Sequence, residues 1–314
     1  MQIPECKGRG LFFIADPHVA ATPPGQRLEG YQEQVLAKIE ACLIRAAELD
    51  MVPFFLGDLF NWPRDNPNSL LVELIALFSP YKPFALVGNH DKYQARFTSD
   101  VSLAVLEAAG VIRVISEPGP AMVLNTPQGR VLVGGSPDAS PLPSSFSRQE
   151  GDYVAVVWTA HHNVTFPDFN DKQIRLKEIP GVDYLVNGHI HRPQPSVRAG
   201  ATLWCNPGNV ARLTFTRRSK DRKPAAALWT PGCEDLERWI VPHLPFEQVF
   251  PDQEFPPEEA EESGASRFME GLERLAWRRT REGAGLKQFL QANLNPESPE
   301  TEIVWELYEE VIRG

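Results

Sequence analysis

Six of the seven histidines fall into four short segments, each beside Asp, Asn, Gly or another His. The segments are Asp16-Pro17-His18, Gly88-Asn89-His90-Asp91, His161-His162 and Gly188-His189-Ile190-His191. A fifth, Gly57-Asp58, brings a carboxylate without a histidine. Carboxylate and amide oxygens mixed with imidazole nitrogens, with no thiolate among them, suit Mn²⁺, Fe, Co, Ni or Zn²⁺ in a reactive centre better than a structural zinc site. The seven candidate ligands are Asp16, His18, Asp58, Asn89, His161, His189 and His191. They exceed what one ion needs and fit two ions sharing a carboxylate. Two ions roughly 3.5–4 Å apart stabilise the attacking and leaving oxygens of an in-line phosphoryl displacement, and they lower the pKa of a water held between them. Taken singly, each segment has an ordinary reading as a turn, a cap or a strand end. Their joint order is what carries the argument.

The elements around these segments explain how they could meet. Apolar runs at Leu11–Ala15, Val52–Leu56 and Phe84–Val87 read as buried strands. They alternate with helical patterns at Tyr31–Glu48, Ser69–Phe78 and about 100–109, an arrangement that argues for an α/β sheet. From Gly110 the rhythm becomes β-rich. Strands are expected at Val111–Ile115, Ala121–Asn125, Val131–Val133, Tyr153–Trp158, Tyr184–Val186, Thr202–Cys205, Arg212–Phe215, Ala225–Trp229 and Leu236–Val241. Asp16, Asp58, Asn89, His161 and His189 each lie just past the carboxyl end of such a run, where loops of an α/β sheet converge on one crevice. The expected fold class is α/β, with two mixed β-sheets face to face, flanked by helices in four layers. Trp62, Phe97, Phe146 and Trp158 read as core residues rather than stacking platforms, and His243 as a surface or turn residue.

The motifs Asp16-x-His18, Gly57-Asp58, Gly88-Asn89-His90-Asp91, His161 and Gly188-His189-x-His191 resemble the five motifs of the calcineurin-like metallophosphoesterases, over about residues 11–208. The resemblance implies one ion held by Asp16, His18, Asp58 and His191, and another by Asp58, Asn89, His161 and His189. Asp58 would bridge them, and a hydroxide between the ions would attack phosphorus. By the same resemblance His90 assists the leaving oxygen and Asp91 orients His90. His161 is taken as the ligand because it is the first residue after the strand, as in the family. His162 is the alternative.

Further details resemble the SbcD/Mre11 nuclease branch: Gly57-Asp58-Leu59-Phe60, Gly188-His189-Ile190-His191-Arg192-Pro193-Gln194 and Asn206-Pro207-Gly208-Asn209. They imply a DNA exonuclease or endonuclease of repair and recombination, using Mn²⁺, with Arg192 and Asn209 as substrate contacts. Asn209 stands where the branch has Ser. The same site would serve a small-molecule phosphodiesterase or phosphatase.

Composition bounds the rest. Apolar residues make up 42% of 314 and charged residues 23%, a globular profile, and Pro at 29 residues is high. Net charge is −10, of which −8 falls in residues 250–314 (15 acidic, 7 basic), so DNA binding must rest on local features. One such feature is the basic run Arg217, Arg218, Lys220, Arg222 and Lys223. Four scattered cysteines, no apolar export signal and no apolar run of about 18 residues point to a cytoplasmic protein without a membrane span. The expected organisation is a catalytic domain over residues 1–216, a β-rich extension over 217–250 that is a candidate DNA-capping element, and an acidic linker with a helical tail over 251–314. Tail helices are expected at about 266–281, 286–293 and 299–312. The last carries an amphipathic stripe that could dock an SbcC/Rad50-like ATPase or pack on its own chain. The branch also implies a homodimer.

Overall fold

The computed structural model describes residues 3–148, 152–167, 169, 174–255 and the single positions 290, 294, 301, 304, 305 and 308. The expected tail helices lie almost wholly outside these residues. Met1–Gln253 form one compact unit and Glu254–Gly314 a second, and every site residue lies in the first.

The helices are α1 (Tyr31–Glu48), α2 (Asn68–Phe78), α3 (Ser102–Ala108) and the single turn α4 (Arg217–Asp221). The strands are β1 (Glu5–Lys7), β2 (Gly10–Ile14), β3 (Met51–Phe55), β4 (Phe84–Leu86), β5 (Arg113–Ile115), β6 (Gly119–Thr126), β7 (Gly129–Ser136) and β8 (Tyr153–Ala160). They continue as β9 (Val164–Thr165), β10 (Ile174–Arg175), β11 (Tyr184–Asn187), β12 (Gln194–Ala199), β13 (Thr202–Asn206), β14 (Ala225–Trp229) and β15 (Glu237–Ile240).

Two mixed sheets result. One runs β15-β14-β2-β3-β4-β5, with β2 to β5 parallel, and the other β1-β6-β7-β8-β11-β13-β12, with β7, β8, β11 and β13 parallel. Side-chain alternation along the strands explains the layers. Leu11, Phe13 and Phe54 of the first sheet join Val131, Val133, Val157 and Val186 of the second in one buried cluster, the core between the sheets. Phe12, Ile14 and Phe55 point the other way, into a cluster with Val35, Ile39 and Leu43 of α1 and Leu70 and Leu74 of α2. The β2–β3 register, Phe13 opposite Phe54 and Ile14 opposite Phe55, keeps each residue on its proper face.

The fold class is therefore the one the sequence implies, with one difference in the outer layers. The helices α1, α2 and α3 cover the first sheet. The outer face of the second is covered by Val164 of β9 and by Phe166, Ile179, Val182 and Ile190, packed on Trp158, Leu185 and Trp204. Residues 217–250 supply β14 and β15, and β14 pairs antiparallel with β2, so this segment is an edge of the first sheet. The expected strand Arg212–Phe215 is not formed, because arginine and lysine side chains take the carbonyls leading into it.

Helix α1 buries Tyr31, Val35, Lys38, Ile39, Cys42, Leu43 and Ala46 as one stripe. Lys38 is the exception in kind. Burial, with Arg27, Arg212 and Arg222 around it, lowers its ammonium to about 7 from the usual 10.5. Between those values the unfolded chain binds a proton that the folded chain does not, so this group makes stability rise with pH. Its contribution is clearest from pH 7 to about 8.5, before thiols of the unfolded chain ionise. Lys38→Met is expected to make the slope of urea-unfolding stability against pH less positive across that window. An unchanged slope would rule the charge burial out.

Candidate metal centre

The candidate ligands come from both sheets. Asp16, Asp58 and Asn89 follow β2, β3 and β4, while His161, His189 and His191 follow β8 and β11. The parallel strands of the two sheets end together, which places five loops at one edge of the sandwich.

Four of these residues adopt positive φ without being glycine: Asp16 (45°), His18 (49°), Asp58 (49°) and His189 (70°). Such conformations are sparsely populated and cost on the order of 1–3 kcal/mol each unless the surroundings enforce them. Here the surroundings do. His18 N–H donates to Asp58 O at 3.0 Å, His189 N–H to Asp16 Oδ1 at 2.9 Å, and His90 N–H to Asp58 Oδ1 at 2.8 Å. The glycines preceding the ligands leave them room. A Cβ on Gly57, itself at φ 102°, would overlap the His161 ring, and one on Gly88 would overlap the Asp58 carboxylate and backbone nitrogen.

The side chains form two groups that share Asp58. Asp16, His18, Asp58 and His191 each present a ligand atom within 4.8 Å of one another, as do Asp58, His161 and His189. In the first group His18 Nε2 faces His191 Nε2 at 3.0 Å and lies 3.6 Å from Asp58 Oδ2. In the second, His161 Nε2 lies 3.3 Å from Asp58 Oδ2 and 3.2 Å from Asn89 Oδ1, which also meets His189 Nδ1 at 2.8 Å. His161 Nδ1 is set against Leu56 O at 2.7 Å, which leaves Nε2 to face the group. His162 turns elsewhere: its backbone is tied to the Asn187 amide and its buried Nε2 has no partner among the described residues.

Electrostatics fit a cation. Asp16 Oδ2 is buried without a hydrogen-bond donor among the described residues, a costly state for a carboxylate oxygen that a metal ion would relieve. Burial raises Asp16 to about 7. Burial lowers His191 to about 4 and His189 to about 3, and holds His18 well below its usual value, so all three are neutral with lone pairs available near pH 7. His161 is the reverse: burial would depress it, but Asp58, followed by Asp16, carries it up to about 10. Without metal, an imidazolium thus neutralises the carboxylates that an ion would otherwise balance.

His90 sits beside the first group, its ring 4.6 Å from that of His18, with Nδ1 2.9 Å from Asn61 O. Asp91 does not take the orienting role expected of it through its described hydrogen bonds. Its oxygens accept from Phe60 N–H at 3.2 Å and Gly88 N–H at 2.9 Å, so it ties the two loops together, and Asn61 O holds the ring. Nothing in the sequence pattern marks Asn61, because only its backbone is used. Nor does the pattern mark Asn187, and it marks Asn206 only as the start of the Asn206-Pro207-Gly208-Asn209 turn. Asn187 Nδ2 donates to His162 O and to Asn206 Oδ1, and Asn206 Nδ2 donates to Ile190 O and Arg192 O, bracing the loop that carries His189 and His191. Asn209 is buried with N–H donating to His191 O at 3.0 Å, and Arg192 lies at the end of the same loop.

Comparison with known proteins agrees with this geometry. The calcineurin-like phosphoesterase family profile matches residues 11–193. No curated protein matches the chain. Among solved structures, a 5′-nucleotidase precursor from Thermus thermophilus is similar at 15% identity and TM-score 0.43, over 74% of this chain and 54% of that one. This chain therefore spans about half that protein's length. A hypothetical protein from the same organism aligns at 13% identity and TM-score 0.43 over 74% of this chain and 99% of its own. A predicted phosphoesterase from Streptococcus pneumoniae aligns at 14% identity and TM-score 0.30, covering 70% of this chain and 81% of that one.

Proposed function

The chain belongs to the calcineurin-like phosphoesterase family, a family of phosphoester hydrolases, and from that premise we propose that it is a two-metal phosphodiester hydrolase acting on DNA. The observation that carries the two-metal reading is the position of Asp58, common to both ligand groups. Asp16, His18, Asp58 and His191 would hold one ion, and Asp58, Asn89, His161 and His189 the other. When bound, the ions supply charge stabilisation to the phosphoryl oxygens and to the attacking and leaving groups. The mixed nitrogen and oxygen donor set suits Mn²⁺, Fe, Co, Ni or Zn²⁺, and Mn²⁺ is put first on the resemblance of the motifs to the SbcD/Mre11 branch.

The chain's own contribution centres on His90. With Nδ1 set on Asn61 O, Nε2 is the ring nitrogen that would deliver a proton to the departing oxygen. Its backbone N–H is anchored on Asp58, so the donor and the shared ligand move as one. The DNA assignment rests on the resemblance of the motifs to the SbcD/Mre11 branch. An SbcC/Rad50-like ATPase partner, a homodimer and a cytoplasmic setting belong to the same proposal, and the four unpaired thiols support the last.

A second reading, a phosphodiesterase or phosphatase for a small molecule, is favoured by how the basic run is used. Arg222 donates to Asn209 O and Ala211 O inside the fold, and Lys220 pairs with Glu247 at 2.8 Å. Trp158 is buried with Nε1–H on Ser136 Oγ, and Trp62, Phe97 and Phe146 are half-buried against the cores, which supports core roles over stacking platforms for bases.

The deciding experiment incubates the protein with Mn²⁺, Mg²⁺ or EDTA, end-labelled DNA and bis(p-nitrophenyl) phosphate. Mn²⁺-dependent DNA cleavage is expected. His90→Ala should lower turnover by about 10²–10⁴ while the metals stay bound. Hydrolysis of the small diester with intact DNA would select the second reading, and hydrolysis that survives EDTA would sink both.

A further inference from the structure

The segment after β13 is neither strand nor helix, yet four consecutive carbonyls in it each accept from an arginine or lysine side chain. Asn209 O takes Arg222 Nη1 (2.6 Å), Val210 O takes Lys38 Nζ (3.3 Å), Ala211 O takes Arg222 Nη2 (2.7 Å) and Arg212 O takes Arg27 Nη1 (3.4 Å). Arg212 in turn donates from Nε and Nη2 to Arg222 O, at 3.2 and 2.9 Å, so the two arginines hold each other's segment.

The amide side of this strap faces the metal centre. Asn209 N–H donates to His191 O at 3.0 Å, and Val210 N–H donates to Ala15 O at 2.9 Å. His191 is one ligand of the first group and Ala15 immediately precedes another, Asp16. The Arg222 guanidinium lies near enough for its charge to act on both Asp16 and His191. In the second group Leu56 O supports His161, while the Asn187–Asn206 pair braces the loop that carries both His189 and His191.

We infer that Arg222 is a positioning residue for one half of the metal centre: by gripping the carbonyls of Asn209 and Ala211 it fixes the strap whose amides set the backbone at Asp16 and His191. The inference rests on the two-metal reading. Positioning and charge pull in opposite directions here. A nearby guanidinium repels a cation, so removing its charge alone would tighten metal binding. Losing the fork that orders the ligands weakens binding. Outer partners of metal ligands typically contribute about 10–100-fold in affinity, and a bidentate fork on two carbonyls is a feature Lys cannot reproduce.

The test is Mn²⁺ binding to the full chain, by equilibrium dialysis with elemental analysis, alongside thermal unfolding. The wild-type chain is expected to bind two ions. Arg222→Met should weaken one of them by about 10–100-fold and leave the other within a few-fold. Arg222→Lys, which keeps the charge and can reach one carbonyl, should fall between. Lys38→Met, which removes only the bond to Val210 O, should weaken the same ion less and covers the case in which Arg222→Met does not fold. Equal weakening of both ions, unaltered binding in folded variants, or tighter binding by Arg222→Met would each overturn the positioning role. A wild-type chain that binds fewer than two ions would instead overturn the two-metal reading, and this inference with it.

Discussion

Asp58→Asn is expected to empty both halves of the metal centre and to lower turnover by about 10³-fold or more, the scale of losing several kcal/mol of metal-borne charge stabilisation. The fold should survive the change. The amide has nearly the carboxylate's shape, and its Oδ1 can still accept from His90 N–H, 2.8 Å away in the native site. What disappears is the negative charge that both groups share. The contrast with a one-sided ligand makes the measurement decisive. His191→Ala removes a ligand of the first group alone and should leave one ion bound. Mn²⁺ stoichiometry and bis(p-nitrophenyl) phosphate hydrolysis read both variants. If Asp58→Asn still holds one ion tightly and keeps a tenth of the turnover, Asp58 does not join the two groups.

Gly88→Ala is expected to be as damaging, though the glycine itself offers no ligand atom. The added methyl would overlap the Asp58 carboxylate and backbone nitrogen, and neither can retreat. The carboxylate is fixed by His90 N–H, and the Asp58 backbone oxygen accepts from His18 N–H. Overpacking of this kind costs about 1–3 kcal/mol. Here the displaced atom is the shared ligand, so activity should fall with stability. Thermal unfolding together with diester hydrolysis checks both. An alanine variant with wild-type turnover would mean that the Gly88 loop yields easily and that Asp58 is less tightly held than its contacts imply.

Much of this site is legible in the sequence because its ligands sit directly after strands whose apolar runs are unambiguous. Asp16, Asp58, Asn89, His161 and His189 need only a strand end and a short loop to be brought together. What is not legible has a common cause: it depends on partners distant in sequence, acting through the backbone. Asn61 contributes a carbonyl, which no residue type advertises. Lys38 lies in an otherwise apolar helical stripe, where a charged residue reads as solvent-facing. Arg222 reads as part of a surface basic run until the fold wraps residues 209–212 against it. Arg212–Phe215 looks like a strand by composition, but Asn209 to Arg212 have their carbonyls taken by side chains. Strand β12 escapes notice for the opposite reason. Its residues Gln194–Ala199 include Pro and Arg and few apolar side chains, which is tolerable at the edge of a sheet and gives no alternating signal.

That the ligands descend from both sheets has a mechanical consequence. An ion held by Asp16 and His191, or by Asn89 and His189, would be a rivet across the sandwich, closing a ring through segments far apart in the chain. Sliding one sheet over the other would shift the two candidate ligand groups relative to each other, so the apolar interlayer that resists shear would also set the spacing of any ions they hold. Binding and unfolding are then linked: at a hundredfold excess of free ion over its dissociation constant, each rivet adds about 2.7 kcal/mol against opening the sandwich.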